Sequence, residues 1–155
     1  MNLITDRNED DVERAIELNN LGFDNWTVSE VTEFLSGLKG AYNASDLNRV
    51  ESAVSYIFER FVANGYDYPV PVVKKTWQIS EFMNSTDTAR YLKNIRELRE
   101  RLTVPSYTPE VPANMENFTY DKANDIERIL EMLDECIDWI EQSRFYSGEL
   151  YGGEI

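Results

Sequence analysis

The stretch TYDKANDIERILEMLDECIDWIEQSR, residues 119–144, decides the fold. Ala123, Ile126, Leu130, Leu133, Ile137 and Ile140 recur at spacings of 3, 4, 3, 4 and 3, one stripe of an α-helix. Ile129, Met132, Cys136 and Trp139 form an adjoining stripe, so nearly half the circumference is apolar. A helix with so broad an apolar side is expected to touch several neighbours or a second subunit. Thr119 is the expected cap. The helix would run to about Arg144, about 39 Å at 1.5 Å per residue.

Upstream, the same period recurs. Leu47, Val50, Val54, Ile57 and Phe61 predict a helix capped by Asn43 or Ser45 and closed by Gly65, with Ala53, Phe58 and Val62 widening its stripe. Ala89, Leu92, Ile95, Leu98 and Leu102 predict another, starting at Ser85 or Thr86. Two shorter helices come first. One opens at Asp6 with Glu9 as its capping partner, presents Val12, Ala15, Ile16 and Leu18, and stops at Gly22. The other opens with Thr27 and Glu30 and presents Val31, Phe34, Leu35 and Leu38 before Gly37 and Gly40. Phe23 and Trp26 lie in the loop between them. Pro69 and Pro71 forbid a regular helix over residues 66–84. That connection is expected to be irregular or extended, with room for a short strand, and anchored by Trp77, Ile79 and Phe82. Pro105, Pro109 and Pro112 mark a second crossover.

The expected fold class is therefore all-α. One helical domain of about five helices spans residues 1–144, and an aromatic-glycine tail spans 145–155. Helices near 45–64, 86–102 and 119–144 form the bundle, and the first two cover one of its faces. A chain of 155 residues fits one domain with a sizeable core.

Composition limits the chemistry. Histidine is absent, which removes every catalytic device built on imidazole. The single cysteine, Cys136, sits on an apolar helix face and reads as a structural thiol. Glu127, Glu131, Asp134, Glu135, Asp138 and Glu141 crowd the last helix, but no Glu-x-x-His element or alternating-acid calcium loop accompanies them. They read as a solvated face. No catalytic residue, metal site or cofactor is expected. A hydrolase built on carboxylates alone has no motif behind it. No apolar run is long enough for a bilayer, and no basic-then-apolar leader opens the chain, so a membrane partner is not expected.

The net charge is −14. It concentrates at the ends: nine acids against two bases in residues 1–35, and twelve against three in residues 105–155. Such a surface repels phosphate backbones, which argues against direct nucleic-acid binding. Solubility is the simple reading of the excess, and imitation of nucleic acid to block a DNA-binding protein is the sharper one. The helix with Arg90, Lys93, Arg96, Arg99 and Arg101 is the only net-basic one, expected to attract acidic neighbours.

Two further places invite a role. Lys39, Tyr42 and Asn43 lie at a tight turn, with Asn48 and Arg49 on the following helix placed to brace it. At the end of the chain, Tyr146-Ser147-Gly148-Glu149 and Tyr151-Gly152-Gly153-Glu154 form a small repeat. A frayed or self-packed tail is the simple reading. A hook that binds a partner through Phe145, Tyr146, Gly148, Leu150 and Tyr151 is the other.

Several of these segments together carry a resemblance: Trp26-Thr27, Phe34-Leu35-Ser36-Gly37-Leu38-Lys39-Gly40-Ala41-Tyr42-Asn43 and Asp46-Leu47-Asn48-Arg49-Val50. Arg90-Tyr91-Leu92 with Ile95-Arg96, Pro109-Glu110-Val111-Pro112, the run Phe118 to Glu127, and Phe145-Tyr146-Ser147-Gly148-Glu149 add to it. The chain resembles small structural, tail-associated proteins of tailed bacteriophages and prophages of Gram-positive, Clostridia-like hosts. It departs at Gly152-Gly153, where a second Ser-Gly is commoner. The resemblance implies a non-enzymatic role in the virion and no cofactor. It implies other virion proteins, or further copies in a homo-oligomer, as partners. It also implies location in the particle, or in the host cytoplasm during assembly. The alternative is an acidic inhibitor or regulator of a host DNA-binding protein.

Overall fold

The computed structural model describes the backbone of residues 1–152 and the side chains of residues 1–144. Five α-helices follow in order: α1 (Glu9–Leu21), α2 (Val28–Leu35), α3 (Ala44–Ala63), α4 (Ser85–Arg99) and α5 (Tyr120–Gly152). A short 3-10 turn, Phe23–Asn25, links the first two. Among the described residues there is no β-strand, and no helix is long and apolar enough to cross a membrane. The backbone of α5 continues beyond Arg144, while the side chains of the expected hook, from Phe145 to Tyr151, lie outside the described residues.

Helices α3, α4 and α5 pack pairwise into the bundle that their apolar stripes predict. Val50, Val54, Ile57 and Phe61 of α3 meet Leu92, Ile95 and Leu98 of α4, and Ile126, Ile129, Leu130, Leu133 and Ile137 of α5. Each of these large apolar side chains contributes roughly 1.5–3 kcal/mol on burial. Tyr91 is also buried here, on a flank of α4 beyond its apolar stripe. Conversely, Val62 and Trp139, on the edges of their stripes, are half exposed.

Helix starts follow local side-chain chemistry. Thr27 and Glu30 form the expected capping box, and Asn43 caps α3 with Asp46 reciprocating. Asn84 caps α4, just before the expected Ser85 or Thr86. Helix α1 starts later than its Asp6–Glu9 pattern suggests, because Asn8 and Asp11 form the capping box instead. Asp6 is drawn away to Lys39, and Arg7 is buried. Ile16, expected on the inner face of α1, points outward; only Leu18 of that helix is fully buried.

The connection over 66–84 is irregular and packed, as expected, but its anchors differ. Trp77 is buried, its backbone N–H donating to Asn48 Oδ1 at 2.8 Å and its carbonyl accepting from Asn48 Nδ2 at 3.0 Å. Ile79 and Phe82 are not anchors: they are 68% and 90% exposed. The cause is a turn at 78–81, closed by Glu81 N–H on the Gln78 carbonyl and by Gln78 N–H on the Glu81 carboxylate, which carries them to its outer side. Tyr68 takes the buried position instead, with Val73 and Met83 partly covered.

Helices α1 and α2 make a hairpin beside the bundle. The Trp26 indole donates to the Leu18 carbonyl at 2.8 Å and lies between Phe23 and Phe34. Arg14 ties the two helices by donating to both carboxylate oxygens of Glu33. Gly40 lets the α2–α3 connection lie directly on α1: a Cβ there would stand 1.9 Å from the Asp11 carbonyl oxygen. Gly40→Ala should therefore cost about 1–3 kcal/mol. Its effect should be read as faster amide exchange in α1 than in α5, with a lower melting temperature.

Candidate interaction surface

The buried charges come first, because burial is what activates side chains for chemistry. Arg7, Asp46 and Glu127 are all buried, and Arg49 half-closes the cluster from α3. Arg7 donates to Asp46 at 2.8 Å and to Glu127 at 2.7 Å. Arg49 donates to both oxygens of Glu127, at 2.9 and 2.8 Å, and to Asp46. The second oxygen of Glu127 also accepts the Ile4 backbone N–H at 2.7 Å. Two cations face two anions, so the cluster is neutral and its carboxylates are saturated. Neither acid has a free lone pair aimed at a cleft, so the arrangement suits holding chain segments together.

What it holds is the N-terminal segment. Asn124 of α5 pairs in both directions with the Arg7 backbone, at 3.0 and 2.9 Å. Arg128 adds a bond to the Thr5 carbonyl. Residues 4–7 are thus laced along α5 and onto α3. Beside this latch, burial pushes the Tyr42 and Tyr91 phenols up, and their hydroxyls bond to each other.

The sequence-expected bracing residues divide between two jobs. Lys39 bridges Asp6 and Asp11, Tyr42 reaches Tyr91, and Asn43 caps α3. Asn48 braces Trp77 and not the turn, while Arg49 belongs to the latch. Sequence reasoning missed Arg7 and placed Glu127 on a solvated face. That placement is corrected: Glu127 is fully buried. A signal was present, since Glu127 falls four residues after Ala123 and three before Leu130, inside the apolar stripe. Glu51, buried and held bidentately by Arg90 at 2.6 and 3.0 Å, sits the same way between Leu47 and Val54.

The other acids of α5 are partly engaged. Asp134, Asp138 and Glu141 converge on Arg60 of α3. Cations of α4 are likewise spent within the fold, Arg90 on Glu51 and Arg99 on Glu110 and the 108–109 carbonyls. Among the described residues no group of three or more Cys, Asp or Glu is arranged to hold a metal. Cys136 is buried, and burial pushes its thiol up, away from the reactive thiolate. A groove of about 430 Å³ lies between the start of α4 and segment 113–116, with Arg96 its one cation and Glu116 its one carboxylate.

The surface carries apolar side chains that the core does not use. On the hairpin, Ile16, Leu21, Phe23, Val28 and Leu35 are exposed, Val28 to 86%. On the 66–84 connection, Val70, Val72, Ile79 and Phe82 are exposed. Scattered apolar residues are ordinary on a surface; here several fall on the same two elements.

Acid should loosen the hairpin. The Lys39 ammonium holds Asp6 below its ordinary value of 3.8, and Arg14 holds Glu33 below its ordinary 4.5. Bonds from the Thr27 backbone and hydroxyl lower Glu30. The unfolded chain therefore takes up protons first as pH falls. This stability is complete above the ordinary values and is lost as pH drops through the lowered ones. The melting temperature should fall between pH 5 and pH 3 at about constant ionic strength, with early exchange of α1 and α2 amides.

No family model, curated protein or solved structure matches the chain.

Proposed function

We propose that this chain is a non-enzymatic structural component of a tailed bacteriophage particle, associated with the tail, that acts by binding other virion proteins. The observation that carries this is the division of labour among its side chains. The buried ionisable groups at the latch are neutralised against one another in bonds that join helices. The large apolar side chains that the core leaves uncovered lie outside, several of them on the hairpin and the 66–84 connection. A molecule built this way offers shape and adhesion. The resemblance of the segments around Phe34–Val50 and Pro109–Glu127 to phage structural proteins supplies the setting.

Mass spectrometry of particles purified through a density gradient tests it. Detection at a fixed ratio to the major virion proteins is the expected result. Absence from particles would overturn it. Absence combined with co-purification of a host DNA-binding protein would replace it with the acidic-inhibitor reading.

A further inference from the structure

We propose that the outward face of the α1–α2 hairpin docks a segment of another protein that carries apolar side chains flanked by Lys and Arg. The proposal deepens the virion-binding reading and rests on it for the setting, though not for the chemistry. On α1, Ile16 and Leu21 line a groove of about 480 Å³ edged by Glu13, Glu17 and Asn20. Glu13, Ile16 and Asn20 lie on the side of α1 away from the buried Leu18, with Glu17 and Leu21 flanking them. Phe23, Val28 and Leu35 extend the exposed apolar surface along the same hairpin.

Charge selects the occupant. Glu9, Asp10, Glu13 and Asp24 are exposed, and none takes part in an ion pair among the described residues. The hairpin's one arginine, Arg14, is already committed to Glu17, Glu30 and Glu33. An apolar partner covering this groove would bring the unpaired Glu13 out of water, at a cost that a cation on the partner offsets. A second copy is a poor occupant for this face. Two copies meeting through this same face would set like charges against each other, with Arg14 already committed within each hairpin. The face is also preformed: the Trp26 bond to the Leu18 carbonyl and the Gly40 contact hold the hairpin without help from Ile16 or Leu21. Docking there therefore spends little on ordering.

A labelled amphipathic peptide of Leu and Lys, with Leu at helical i, i+3, i+4 positions, serves as the probe in fluorescence anisotropy. It should bind the full chain, and a matched Leu/Glu peptide should not. The double variant I16S/L21S keeps the charge and removes two exposed anchors, so binding should weaken by about tenfold or more with the melting temperature kept. Glu13→Lys should weaken the same peptide several-fold and lessen its salt dependence. Hydrogen exchange should show protection in residues 9–35. Equal binding by I16S/L21S, or protection confined to 66–84, would overturn the proposal. So would sedimentation showing a wild-type dimer that I16S/L21S dissociates. The virion reading fails separately, by absence of the chain from purified particles whatever the peptide does.

Discussion

Glu127→Gln should destabilise the protein by about 3–5 kcal/mol, the cost of breaking a buried ion pair from one side. Glu127 is fully buried, and it accepts from Arg7, from Arg49 through both oxygens, and from the Ile4 amide. Glutamine keeps the shape and removes the charge. Two guanidinium groups then share Asp46 alone, and a buried positive charge is left over. The amide NH2 must also point at a donor. Against a total stability of about 5–15 kcal/mol for a domain of this kind, that is a large fraction. Urea titration should show a lower midpoint, and exchange at residues 4–8 should rise most. An unchanged midpoint would mean that the latch carries no energy.

Leu133→Asp should abolish cooperative folding. Leu133 lies at the centre of the α5 stripe, fully buried among residues of all three bundle helices. The change removes an apolar group, leaves a cavity and places an unpaired carboxylate in the core. The combined cost exceeds about 5 kcal/mol, of the order of the whole folding free energy. Circular dichroism should lose the helical signal or show no sigmoidal melt. Leu133→Ala, which creates only the cavity, should cost about 2–5 kcal/mol and keep a melt. A normal melt for the aspartate variant would show that this stripe is not the core.

The bundle was readable because its information is periodic. Val50, Val54, Ile57 and Phe61, or Ile126, Leu130, Leu133 and Ile137, announce their burial by spacing alone. Caps were readable where one pattern stood alone, as at Thr27 and Glu30. At the start of α1 two patterns overlap, Asp6 with Glu9 and Asn8 with Asp11. The choice between them is made by Arg7, whose partners lie 117 and 120 positions away. No local window contains that. Ile79 and Phe82 misled for a similar reason, since apolarity favours burial until a turn swings the tip outward.

The candidate surface was less readable still. Ile16 belongs to the apolar set of α1 by spacing, but a two-helix hairpin has too little interior for every such residue. Which one is left outside depends on where Trp26 and Arg14 sit. The charged latch was not readable: Arg49 stood out only as a brace for the 39–43 turn, while Glu127 and Glu51 were acids inside apolar stripes whose partners lie on other helices.

The lacing of residues 4–7 along α5 has a consequence for biosynthesis. In synthesis residues 4–7 precede their partners Asn124 and Glu127 by well over a hundred positions. Until α5 is made, residues 4–7 have Asp46 of α3 and the Lys39 ammonium within reach, but not Asn124 or Glu127. Fastening closes a circuit of well over a hundred residues, the slowest class of contact to form. Exchange at Ile4 and Arg7 should therefore become slow only once α5 has docked, which pulse-labelled refolding reads directly.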